Sequence, residues 1–96
     1  MIRSFKNQGT EDLFNGVDTK AARKICPQDI RNVARRKLGH VDAAETLEDL
    51  KSPGNMLKKL EKDRAGQHAI RVNDQFRICF IWSDGQADQV EVTDYH

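Results

Sequence analysis

Hydrophobic positions along the chain follow two different periods, and the change comes near the middle. In the first half, Ile30, Val33, Ala34, Leu38 and Val41 recur with helical spacing after Pro27. That predicts a helix opening at Pro27, a favoured first helical position, with one apolar stripe and one basic face. A shorter helix is expected over residues 11–15, capped by Thr10 and stopped by Gly16. Asp42-x-x-Glu45 reads as a capping box opening a turn that carries Leu47 and Leu50, and Pro53-Gly54-Asn55 then breaks the chain. Ile2 to Phe5 reads as a short edge strand.

From Met56 onward apolar and polar residues alternate. Met56 to Leu60 predicts a short strand before a loop at residues 61–66. His68, Ile70 and Val72, then Phe76, Ile78, Phe80 and Trp82, then Val90 and Val92 mark three strands of a meander. The turns fall at Asn73-Asp74 and Ser83-Asp84-Gly85. Parity fixes the register. A two-residue loop would set Ile70 on the same face as Arg77, so the pattern selects Val72 opposite Phe76, with Phe80 near Val90. Even-numbered apolar residues then face the helices. The odd face carries Gln67, Arg71, Gln75, Arg77, Glu91, Thr93 and, if the strand runs that far, Tyr95. The expectation is an α+β domain spanning residues 1–96.

Composition narrows the class. With 38% hydrophobic and 32% charged residues the chain is of globular type. It has no apolar run long enough for a membrane span and no secretory h-region at its start. Cys26 and Cys79 are far apart and outside any C-x-x-C, so both are expected as reduced thiols in a cytoplasmic protein. A net charge of +1 is unremarkable, but its distribution is not. Residues 20–37 hold Lys20, Arg23, Lys24, Arg31, Arg35, Arg36 and Lys37 against Asp29, whereas Asp84, Asp88, Glu91 and Asp94 follow Ser83 without a basic residue. Such segregation suits either a solvated helix face or a basic surface with a charged partner. His40, His68 and His96 lack metal-ligand spacing, no Gly-rich phosphate loop is present, and neither metal nor cofactor is expected. His68 reads as a hydrogen-bonded core histidine.

Three segments resemble the HigB-type toxins of the RelE/ParE superfamily. They are the start Met1-Ile2-Arg3-Ser4-Phe5, the block from Asp63 to Ile78 that includes Gly66-Gln67-His68-Ala69-Ile70-Arg71-Val72, and the ending Val90-Glu91-Val92-Thr93-Asp94-Tyr95-His96. The resemblance covers the whole chain in order. It implies a compact RelE-like α/β (α+β) fold, with two main N-terminal helices packed on one face of a mostly antiparallel twisted sheet. It also implies the toxin of a type II toxin–antitoxin system, an endoribonuclease cutting mRNA on the ribosome. The implied partner is a HigA-like helix-turn-helix antitoxin, and operator DNA is met only through the antitoxin complex.

The residues suit that chemistry. RNA supplies its own nucleophile, the 2′-hydroxyl, so metal-free cleavage needs in-line geometry, a charge clamp and proton transfer. Arg77 fits the clamp, since guanidinium grips phosphate in a forked geometry; its alternative is a strand arginine paired with Glu91. His96 titrates near neutral pH, and a carboxylate on the same residue would favour its protonated ring. Tyr95 suits orienting, proton donation or base stacking, and Asp94 suits holding His96 or accepting a proton. Lys58, Lys59, Lys62, Arg64 and Arg71 are expected to bind RNA phosphate rather than to react. Some family members carry a functional His and Lys in this loop, where this chain has Lys58 and Glu61, with Lys62 one residue on. Two other readings stay open: a gyrase-poisoning toxin on the same scaffold, and a corepressor acting with the antitoxin.

Overall fold

The computed structural model describes residues 1–94. Three α-helices come first: α1 (Gln8–Asn15), α2 (Lys20–Ile25) and α3 (Arg31–Ala43). A four-stranded antiparallel sheet follows in the order β1 (Lys58–Lys59), β2 (His68–Arg71), β3 (Phe76–Ser83) and β4 (Gln86–Asp94).

The cap of α1 is Asn7, three residues before the expected Thr10, and its side chain accepts from the Thr10 N–H at 2.9 Å. Both residue types cap helices, but Thr10 has a different task. It is fully buried, donates its hydroxyl to Asn7 Oδ1 at 2.8 Å and accepts from the Val92 N–H at 3.2 Å. A helix residue thereby satisfies the edge of β4. Gly16 ends α1 in the left-handed region, where glycine carries no steric cost. The six-residue α2 is too short to show a period in sequence. Thr19 caps it, accepting from Ala22 N–H at 3.1 Å, and donates its hydroxyl to Asp12 of α1 at 2.7 Å. Gly9 lets the two helices touch: a Cβ there would lie 2.5 Å from the Ala21 carbonyl oxygen.

Pro27 precedes a 3-10 turn at Gln28–Ile30, and α3 proper begins at Arg31. Ala34, Leu38 and Val41 are buried as the stripe requires. Asp42 lies inside α3 and accepts from the Ile2 N–H at 2.8 Å, so it opens no capping box. The box is Thr46 with Asp49, framing the turn Leu47–Leu50.

The hairpin register follows the parity argument. Arg71 faces Arg77, and the Val72 N–H donates to the Phe76 carbonyl at 3.0 Å. Ile70, Val72, Ile78, Phe80, Val90 and Val92 share one core with Leu13, Leu38 and Leu50. The β3–β4 pair departs from simple alternation. Cys79 faces Glu91 but Ile81 faces Asp88, and Gln89 takes φ 53°. This bulge inverts parity along β4, which is why odd-numbered Ala87 is buried in the core. Ile2 and Phe5 bridge β4 in parallel at Ala87 and Val90, covering part of its outer edge. The strand expected over 56–60 shrinks to β1, because Met56 is held at φ 45° and Glu61 turns into a 3-10 turn at Lys62–Arg64.

Candidate active site

The site is built on the sheet face away from the helices, where strand pairing lays side chains in rows. One row runs Arg71, Arg77, Thr93; the next runs Lys58, Ala69, Cys79, Glu91. The second row is not purely polar. Ala69 and Cys79 are fully buried with Leu60 in a small apolar cluster on this side, and that burial pushes the Cys79 thiol up. Both cysteines are unpaired and buried.

Glu91 is the buried acid of this face. It is 7% exposed and accepts from Arg64 at 2.7 Å and from Lys6 at 3.5 Å. Arg64, expected to meet RNA, therefore has its charge shared with Glu91. Arg77 does not take that partner. Its guanidinium turns back over the hairpin and donates to the carbonyl oxygens of Asn73 at 2.8 Å and Phe76 at 3.4 Å. The Asn73 side chain fixes that turn by accepting from the N–H groups of Gln75 at 2.9 Å and Phe76 at 2.7 Å. Carbonyl acceptors orient a guanidinium without cancelling its charge, and among the described residues no carboxylate pairs with Arg77. Arg71, beside it, pairs with the exposed Asp74.

The lysines of the loop divide. Lys58 faces Ala69 and belongs to the Arg77 side, whereas Lys59 faces His68 and belongs to the helix side. Lys58 to Lys62 line a shallow cleft of about 270 Å³ beyond the sheet edge, and Lys62 adopts φ 56°. His68 is stacked 6.3 Å from Phe80, and among the described residues its buried Nδ1 has no hydrogen-bond partner, contrary to the expected hydrogen-bonded histidine.

Asp94 ends the described part of β4. It faces Phe76 in register and accepts from Gln75 Nε2 at 2.8 Å, so it sits in the row next to Arg77 and on the other pleat. It also borders a cleft of about 420 Å³ that Arg23 and Lys24 help to line. Tyr95 and His96 lie outside the described residues. Two residues do more here than their sequence positions imply. Lys37 belongs by pattern to the basic face of its helix, yet it is only 7% exposed. Asn73 looked like a plain turn residue, although an Asn at a hairpin corner commonly bonds its own backbone.

The model of the RelE-like toxin of the type II toxin–antitoxin system HigB matches residues 3–96. The chain belongs to this family. Among HigB-like relatives it is 41% identical to Toxin HigB-1 of Vibrio cholerae over 88 residues, covering 91% of this chain and 90% of the relative. It is 32% identical to the Endoribonuclease HigB of Proteus vulgaris over the full length of both. Its fold is that of YoeB from Staphylococcus aureus, solved in a YoeB–YefM complex, with TM-score 0.60 at 11% identity over 100% of this chain and 98% of that one. A YoeB dimer from the same organism gives TM-score 0.59 at 12% identity, over 99% and 97%. The HigB-like chain thus has the α+β architecture expected from its resemblance, with a third, short helix added. Among the described residues, no helix is long and apolar enough to cross a membrane.

Proposed function

We propose that this HigB-like toxin is a cytoplasmic endoribonuclease that cuts mRNA on the ribosome through attack of the 2′-hydroxyl, and that a HigA-like helix-turn-helix antitoxin neutralises it. The observation that carries the reading is Arg77. It stands in the middle of a basic row and is oriented by backbone carbonyls rather than paired with an acid of the described chain. Such a guanidinium is preorganised for the non-bridging oxygens of a phosphodiester, whose charge grows in the transition state.

The reaction balances without an added reactant. The 2′-oxygen bonds to phosphorus as its proton leaves to a base, the bond to the 5′-oxygen breaks, and that oxygen takes up a proton. The products are a 2′,3′-cyclic phosphate and a 5′-hydroxyl. Arg77 clamps the phosphate, while Asp94, Tyr95 and His96 share proton transfer and substrate orientation. Arg71, Lys58 and Lys62 bind flanking phosphates. Arg64 adds to them with a charge partly offset by Glu91, and Lys59 reaches RNA around the sheet edge. Operator DNA is met through the antitoxin complex. Expression of the chain alone, of Arg77→Ala and of a chain lacking His96 tests the reading. The wild type should arrest growth with messages cut, and both variants should relieve arrest. Arrest with intact messages and trapped DNA gyrase would instead establish the gyrase-poisoning alternative.

A further inference from the structure

Lys37 is a buried ammonium beneath the basic face. It lies on α3 among Ala34, Leu38 and Val41, and its Nζ donates to the carbonyl oxygens of Gly54 at 2.8 Å and Arg71 at 2.5 Å. Both acceptors are neutral carbonyls; among the described residues it forms no ion pair. A buried charge of this kind is costly unless polar groups replace its water, so a buried lysine at this point of α3 calls for a reason. The two acceptors supply one. Arg71 ends β2, and the turn that follows contains Asn73, whose carbonyl seats Arg77. Gly54 lies in the segment leading to Lys58. One ammonium therefore ties α3 to both stretches of backbone that border the basic face. Burial first, and then the charges of Arg36, Arg71 and Arg77, push the Lys37 ammonium below its ordinary range, so four cations crowd one region. That crowding is relieved when an anion arrives.

We propose that Lys37 is a positioning residue for the substrate phosphate, fixing the hairpin that seats Arg77 and adding buried positive charge behind Arg71 and Arg77. This rests on the reading of Arg77 as the phosphate clamp, and the experiment separates the two. Message cleavage is followed in a translation extract for wild type, Lys37→Met, Lys37→Arg, Arg77→Ala and the Lys37→Met/Arg77→Ala double variant, with folding checked by circular dichroism. Lys37→Met should fold yet lose about tenfold or more in cleavage, and Lys37→Arg should return to within about threefold of wild type. In the Arg77→Ala background, Lys37→Met should cost at least about threefold less than it does alongside Arg77, because residues acting through one another are not additive. Should Lys37→Met fail to fold, Lys37→Gln, which keeps a donor without the charge, replaces it with the same outcomes. Wild-type cleavage by the neutral variant, or an equal loss in both backgrounds, overturns the role of Lys37. Full cleavage by Arg77→Ala overturns the clamp itself.

Discussion

Replacing Arg64 with Met isolates the ion pair that organises the basic face. Methionine keeps an unbranched stem but removes the guanidinium, which leaves the Glu91 carboxylate with Lys6 Nζ at 3.5 Å as its remaining ion-pair partner among the described residues. Breaking a fully buried pair by removing one partner costs about 3–5 kcal/mol, whereas an exposed pair contributes about 0–1 kcal/mol. The side chains here are 24% exposed for Arg64 and 10% for Glu91, and Lys6 remains, so an intermediate cost of about 2 kcal/mol is expected. Glu91→Gln, which retains shape and an acceptor, should cost about 1 kcal/mol. In the double variant both charges are gone, and the total should fall short of the sum by about 1 kcal/mol or more. The assay is urea unfolding followed by fluorescence of Trp82, whose ring lies 6.3 Å from Phe80 in the core. For a domain of this size, about 2 kcal/mol corresponds to a fall of about 8–16 °C in Tm. Additivity within about 0.3 kcal/mol would refute the idea that Arg64 and Glu91 act as a pair.

Two further predictions concern stability. Gly9→Ala should destabilise the fold by about 1–3 kcal/mol in a thermal melt, although alanine is the better helix former, because its Cβ would meet the Ala21 carbonyl oxygen at 2.5 Å and Ile25 Cγ1 at 2.8 Å; a raised Tm would contradict the close α1–α2 approach. His68 is held below its ordinary value of 6.5 by burial first and then by the Lys59 charge. The unfolded chain therefore takes up a proton that the folded chain resists, so this stability contribution is full above 6.5 and declines as pH falls toward the lowered folded value. The Tm of the wild type should drop more steeply than that of His68→Phe between about pH 7 and about pH 5.5; parallel slopes would show that His68 is equally easy to protonate in both states.

Most of the core was legible because it depends on parity and spacing. Val72 opposite Phe76 follows from keeping Arg77 out of the core while holding the turn at Asn73-Asp74. What could not be read depends on single backbone angles or on contacts distant in sequence. The bulge at Gln89 is one positive φ on a residue that is neither Gly nor Asn, and it silently reverses parity for Ala87. Thr10 and Asn7 are equivalent as caps until β4 presents the Val92 N–H to one of them. Lys37 counts as polar in any helical pattern, and its burial is set by carbonyls of Gly54 and Arg71, 17 and 34 residues away. At the site, Arg77 was found from the resemblance and from its face of the strand. That its partners are carbonyls, while Glu91 goes to Arg64, required the folded loop at Lys62–Arg64 to be in place.

Cleavage by the RNA's own 2′-hydroxyl under an Arg77 clamp dictates the chemical identity of the cut ends. A defined message cut in a translation extract should yield a 2′,3′-cyclic phosphate, or its hydrolysed form, on one fragment and a 5′-hydroxyl on the other. A single 2′-deoxy substitution at the cut position should abolish cleavage there, and Arg77→Ala should slow cutting by about a hundredfold or more. A 5′-phosphate with a 3′-hydroxyl, or undiminished cutting at the 2′-deoxy position, would rule out attack by the 2′-hydroxyl.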